Sequence, residues 1–341
     1  FMKSISFLNK SNNAIIIWKN FIKLHRDNAD VWLTDWEQKI TKKEEENFLD
    51  SFGNFSPIHP DLINRFKIDK VSLLNSRVNN LDFMDLENLF YYISNLRMLD
   101  LDLPFNNIEI LEIVKNYMNG NIFSSSKNNI PDIKSIFYGL TIFSELNLWD
   151  NTNVIDVSRI EKFIKLNLKN FIPEKLEVNV YSLLCLKVME KNDLLIMDMD
   201  FPLNLVLNLK LSNLEEYSPI QDVYNHLTVI RLFNKRADII ELKRKYLNEI
   251  KKFTTSIGSI NNIITESAKA LLIIDLLSLK EEEPDLCSGL LNFIINSTTF
   301  FNLINLNEDF NWRNNQLGYK IELKMLFWAL LACSQYAPRK A

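Results

Sequence analysis

Glycine is nearly missing from this chain: 6 residues in 341. Phosphate-cradling loops, parallel α/β sheets and tight hairpins all use glycine at backbone angles that other residues avoid. Such scarcity predicts an all-helical protein. Neither G-x-G-x-x-G nor G-x-x-x-x-G-K-[ST] occurs, which excludes the common nucleotide-binding loops. Cysteine and histidine are scarcer still, three of each. Cys185, Cys287 and Cys333 are far apart and odd in number, so they offer neither a disulfide framework nor a zinc-knuckle spacing. His25, His59 and His226 are equally scattered, without an H-E-x-x-H.

Charge of one sign is lacking too. A formal net charge of −4 gives no reason to expect nucleic acid or an anionic membrane as partner. The longest apolar run, "MLFWALLAC" (325–333), is too short to cross a bilayer. "FMKSISFLNKSNNAIIIWKNF" (1–21) has no long apolar core and no small-residue cleavage site, so no signal peptide is expected. The expected location is the cytoplasm, with no transmembrane segment.

What the chain does have is apolar side chains, 47% of the total, and a period. "FYGLTIFSEL" (137–146), "VYSLLCLKVM" (180–189), "VYNHLTVIRL" (223–232) and "SAKALLIIDL" (267–276) align without gaps on Tyr138, Tyr181, Tyr224 and Ala268. "FYYISNLRML" (90–99), anchored at Tyr91, is a weaker copy, and the helix around Met325 is a candidate sixth. Five positions after the anchor stand Leu96, Phe143, Leu186, Val229 and Ile273; eight after it stand Leu99, Leu146, Met189, Leu232 and Leu276. These columns differ by three and so share one helix face. Between them lie "DVSRIEKFIKLNLKNF" (156–171), "DIIELKRKYLNEIKKF" (238–253) and "DLCSGLLNFIINSTTFF" (285–301), each predicted to start at its Asp. "FPLNLVLNLKLSNL" (201–214) fills the same slot in the second unit. The repeating module is a helix pair of about 43–47 residues, which buries its apolar face only by stacking on neighbours. Residues 1–85 read as less regular helices, including 12–26 and 56–66, and 86–335 as the repeats. Without a Pro/Gly/Ser-rich linker, 1–341 reads as a single all-helical domain.

The stretch "PDIKSIFYGLTIFSEL" (131–146) resembles the repeat of protein prenyltransferase β subunits and terpenoid cyclases, through Asp132, Tyr138, Gly139 and Leu140. "GSINNIITESAKALLIIDLLSL" (258–279) looks like a degenerate copy of the same join. The resemblance covers roughly 86–335 and implies an α/α toroid, with an inner ring of helices around a central cavity and an outer ring facing solvent. An open α-solenoid is the rival architecture.

In the prenyltransferase β subunits, an Asp and a Cys in D-x-C and a His from another repeat hold zinc, which activates a substrate thiol. Carried onto "VNVYSLL", the Asp position is Val178 and the Cys position Val180; the His position is Ser135. None of these can ligate zinc, so no metal site is expected. Terpenoid cyclases use D-x-D-D with a protonated middle Asp. Here Asp100/Asp102 and Asp198/Asp200 make only D-x-D, and they read as turn carboxylates or, alternatively, as Mg²⁺ ligands. Magnesium enters only if the substrate is an isoprenoid diphosphate.

The candidate ligand-binding residues are Tyr138, Tyr181 and Tyr224 as aromatic walls, His226 as the polar residue in an apolar column, and Asp132 and Asp222. His226 also reads as a core histidine, and the tyrosines as packing between helices. Convergent acids such as Asp132, Asp222 or Glu266 in a deep cavity would mark an enzyme; a filled centre or an exposed apolar face would mark a scaffold. The expected function is a prenyltransferase-like toroid without zinc, non-catalytic, binding an isoprenoid or other apolar small molecule or a helical protein partner. The alternative is a metal-independent or Mg²⁺-dependent enzyme acting on an isoprenoid diphosphate.

Overall fold

A computed structural model describes residues 85–126, 129–149, 154–169, 176–192, 194, 219–232, 236–304 and 312–335. All belong to the second of two units into which the chain divides, 1–48 and 49–341. The helices expected at 12–26, 56–66 and 201–214, and the pair Asp198/Asp200, lie outside the described residues.

Ten helices dominate the described residues. They are α1 (Leu86–Met98), α2 (Asn107–Lys115), α3 (Ile133–Glu145), α4 (Val157–Lys169), α5 (Leu176–Lys191), α6 (Pro219–Leu232), α7 (Arg236–Phe253), α8 (Ile264–Leu276), α9 (Pro284–Ile304) and α10 (Trp312–Ser334). None is long and apolar enough to cross a membrane, among the described residues.

Their starts follow from the sequence. The first amides of a helix lack partners within it. Asp85 accepts from the Asn88 amide at 2.8 Å, Asp132 from Ser135 at 2.9 Å and Asp156 from Arg159 at 2.9 Å. Asn106 and Glu109 close a reciprocal capping box on α2. Two predicted starts move. Helix α7 begins at Arg236, ahead of Asp238, and α9 begins at Pro284. Proline suits a first helical position because its missing amide would be unpartnered there anyway. Asp285 therefore sits in the first turn, where its charge favours the helix dipole.

Helix ends show how a glycine-poor chain terminates. Asp100, Asn147 and Ser278 each stand two residues beyond α1, α3 and α8 in the left-handed conformation, with φ of 55°, 51° and 56°. Short polar side chains tolerate these angles better than most. After α1 the Leu101 amide reaches back to Leu96, and after α8 the Leu279 amide reaches back to Ile274, each at 2.9 Å. The same six-residue closure thus ends two helices at distant points of the chain.

One feature lies outside the all-helical expectation. Met118–Asn119 (β1) pairs antiparallel with Ile122–Phe123 (β2). Gly120 and Asn121, with φ of 57° and 62°, form the two-residue turn between them. Phe123 packs into α3 at Gly139, where an added Cβ would stand 2.3 Å from the ring.

Packing follows the repeat. Helix α1 lies against α3, α3 against α5, α5 against α6, α6 against α8, α8 against α10, and α10 against α1. The second helix of a pair packs outside this series: α4 on α5, α7 on α6, and α9 on α8 and α10. Leu96, Phe143, Leu186, Val229 and Ile273, the column five after the anchor, are all buried. Truncating one such leucine to alanine costs about 2–5 kcal/mol.

Candidate binding cavity

The tyrosines of the anchor column meet at the centre of this series. Tyr91, Tyr138 and Tyr181 follow one another on α1, α3 and α5, with ring centres 6.0 and 6.2 Å apart. Tyr224 on α6 meets Trp328 on α10 at 5.4 Å and at right angles. Phe327 on α10 packs on Phe90 and Tyr91 of α1, at 5.4 and 5.2 Å. Burial above all raises the pKa of all four phenols, so each is neutral at ordinary pH.

These rings border a cavity of about 70 Å³ to which α1, α3, α5, α6, α8 and α10 all contribute. One water needs ~10–15 Å³, so several would fit. A site for a drug-sized molecule runs to ~300–1,000 Å³. The cavity is therefore far smaller than such a site.

Its polar wall is built on α6, α8 and α10. On α8 the anchor position is Ala268, and the residue lining the cavity is the next one, Lys269. The Lys269 side chain is only 8% exposed. Its ammonium donates to Gln221 Oε1, stands 3.9 Å from the Glu266 carboxylate and lies 5.0 Å from the centre of the Trp328 ring. Burial lowers its pKa from 10.5 to about 8; Glu266 and Glu177 oppose this, and the like charges of Lys324 and Lys134 add to it.

The direction of the hydrogen bonds is fixed from the lysine outward. An ammonium can only donate, so Gln221 turns its oxygen to Lys269. Gln221 Nε2 then donates to Asn225 Oδ1 at 2.7 Å. That leaves Asn225 with its Nδ2, which is buried without a hydrogen-bond partner among the described residues. The Trp328 indole Nε1 is buried and unpartnered as well.

Carboxylates near the cavity are engaged by lysines. Glu177 pairs with Lys134 at 2.9 Å, and Glu266 faces Lys269. Among the described residues, no three His, Cys, Asp or Glu side chains come together as a metal-holding group. Val180 is buried on the cavity wall. The Ser135 hydroxyl donates to Asp132 Oδ2 at 2.6 Å.

The predicted site residues part company here. Tyr138, Tyr181 and Tyr224 line the cavity. His226 does not: it is buried, and its Nδ1 hydrogen-bonds the Tyr246 hydroxyl on α7. Asp132 caps α3. Asp222 is half-buried in the first turn of α6 outside the cavity lining, and burial, then Glu177 and Glu266, raise its pKa. Asp100 and Asp102 are exposed in the turn after α1. The acids therefore do not converge on the cavity.

Sequence reasoning missed Lys269, Gln221, Asn225 and Trp328. A signal existed. The column one after the anchor reads Tyr92, Gly139, Ser182, Asn225, Lys269, a cation at the end of an otherwise uncharged series.

No protein-family model, no curated protein and no solved structure matches the chain.

Proposed function

We propose that the described helices form a prenyltransferase-like α/α toroid whose centre is non-catalytic and binds a small ligand with an apolar body. The ring is supported by the order of contacts, which returns from α10 to α1. An open solenoid keeps its first and last helices apart. Here the Asn95 side chain on α1 donates to the Leu323 carbonyl of α10 at 3.0 Å.

The observation that carries the non-catalytic reading is the size and lining of the centre. About 70 Å³ bordered by neutral phenols, Val180 and Trp328 leaves no room for an isoprenoid chain without rearrangement. It also brings no pair of free carboxylates together for acid–base work. In the resemblance, Val180 stands where a zinc-binding cysteine would be. Apolar walls with a few polar groups are the ordinary make-up of a binding site.

The test is incubation of the protein with prenyl diphosphates, with and without Mg²⁺, while pyrophosphate release is followed. The expected result is no release above the protein-free control. Release that is lost on substituting a cavity-lining residue such as Tyr181 overturns the non-catalytic reading.

A further inference from the structure

The cavity has a chemical polarity that its aromatic walls do not disclose. Among the described residues, three charged side chains line it: the lysines Lys269 and Lys324, and Glu177. Glu177 is tied to Lys134 at 2.9 Å. Glu266, the carboxylate closest to Lys269, lies 3.9 Å from the ammonium. That is too long for a hydrogen bond, and the Lys269 ammonium has three N–H groups to place. The bond to Gln221 uses one.

The neutral groups point the same way. The Lys269–Gln221–Asn225 chain ends on Asn225 Nδ2, a donor without a partner among the described residues. Trp328 lines the same cavity, and its donor-only indole Nε1 is buried and also without a partner among the described residues. Buried donors left unmatched are costly, so a ligand that supplies acceptors has an advantage over one that supplies donors.

We propose that the hub cavity is a carboxylate site. It takes a small monocarboxylic acid, whose two oxygens accept from Asn225 Nδ2, Trp328 Nε1 and Lys269 and whose short alkyl part lies among the tyrosine rings. Lys269 is the lining cation that a single negative charge would face, since Lys324 pairs with Glu87 at 3.6 Å and Glu177 with Lys134 at 2.9 Å. A dianion such as phosphate would overcompensate Lys269 and would bring no apolar body to the rings. The proposal rests on the reading of the hub as a binding centre, and adds the class of ligand.

The test uses the full chain labelled with ¹⁵N and titrated with butyrate, 1-butanol, butylamine and inorganic phosphate. The readout is the indole N–H resonance of Trp328, identified as the one missing in Trp328→Phe. Butyrate is expected to shift it downfield in a saturable way; butanol is expected to bind at least about tenfold more weakly, the worth of a charge-assisted hydrogen bond. Lys269→Met is expected to weaken butyrate by about tenfold or more and to weaken butanol less. Trp328→Phe keeps the ring, and Asn225→Asp turns the donor pair into a competing anion; both are expected to weaken butyrate when other resonances are followed.

Equal binding of butanol and butyrate overturns the carboxylate inference and leaves the apolar hub standing. Binding of phosphate or butylamine in preference to butyrate overturns it too. No shift with any of the four overturns both the carboxylate site and the hub as a binding centre. Pyrophosphate release in the earlier assay strikes only the non-catalytic reading.

Discussion

The ammonium of Lys269 stands 5.0 Å from the centre of the Trp328 ring, on a side chain that is only 8% exposed. A cation placed over an indole face gains some attraction, yet burial still lowers its pKa to about 8. The folded-state value is thus below the unfolded value of 10.5. The protonated lysine therefore costs stability in full below pH 8, where both states carry the proton. The cost is relieved as pH rises from 8 to 10.5, where the unfolded chain alone still binds it. At ~1.36 kcal/mol per unit the cost is on the order of 3 kcal/mol. Lys269→Met is expected to be more stable than the parent at pH 6.5, with an advantage that shrinks by pH 9.5. Urea midpoints at the two pH values check this. A Met variant whose relative stability does not change with pH would show that the lysine is not held against its charge.

Two close approaches rank the glycines. At Gly258, with φ of +77°, an added Cβ would stand 2.7 Å from the backbone Cα of Gly289 on α9. At Gly139 it would stand 2.3 Å from the Phe123 ring, a side chain. A ring has a rotamer to change, whereas two backbones must separate. Gly139→Ala is expected to cost about 1–3 kcal/mol. Gly258→Ala is expected to cost more, because the left-handed angle adds its own penalty. Thermal denaturation of both variants decides the order.

Asp132 separates a structural role from a site role. It accepts from the Ser135 amide and hydroxyl at 2.9 and 2.6 Å, at the start of α3. Asp132→Ala is expected to lower stability by about 0.5–2 kcal/mol, the usual worth of a helix cap. Asp132→Asn is expected to recover most of it, since an amide oxygen still caps. Butyrate affinity at the hub is expected to be the same in all three proteins.

How far the sequence discloses this molecule depends on the range of the interactions involved. The greasy columns are legible because a helix repeats its faces every few residues, and the column from Leu96 to Ile273 is buried throughout. The cap Asp156 is legible for the same reason: cap and capped amide lie three residues apart. Asp132 caps α3 with the same spacing, although the sequence reading places it in the site. The hairpin at Met118–Phe123 carries a turn signal, Asn119-Gly120-Asn121, that the overall scarcity of glycine obscures. Lys269 is harder. A lysine in "SAKALL" reads as a surface residue, and what buries it is Gln221, 48 positions earlier, and Trp328 on another helix. His226 shows the reverse. Its polarity in an apolar column suggests the cavity, but the partner that satisfies it lies on α7, outside the series of tyrosine-bearing helices.

That pairing of His226 with Tyr246 gives the clearest separation of core from cavity. Both side chains are buried, with ring centres 5.9 Å apart and nearly perpendicular. Burial raises the pKa of the Tyr246 phenol, so it stays protonated, and the tautomer of His226 decides which of the two donates. Tyr246→Phe removes one hydroxyl and keeps the ring, leaving His226 Nδ1 without this bond in a buried place. The expected cost is about 1–3 kcal/mol, the penalty of one buried group deprived of its partner. His226→Phe in the same background removes the second polar group of this pair, and the double variant is expected to regain the part of the loss that belongs to the bond between them. Neither change touches Asn225 Nδ2, Trp328 Nε1 or Lys269, so butyrate affinity is expected to hold within about twofold. A double-mutant cycle on urea midpoints, run beside the ¹⁵N titration, measures both. Loss of butyrate binding in Tyr246→Phe at full stability would move His226 into the site and remove the division between the α6–α7 contact and the hub.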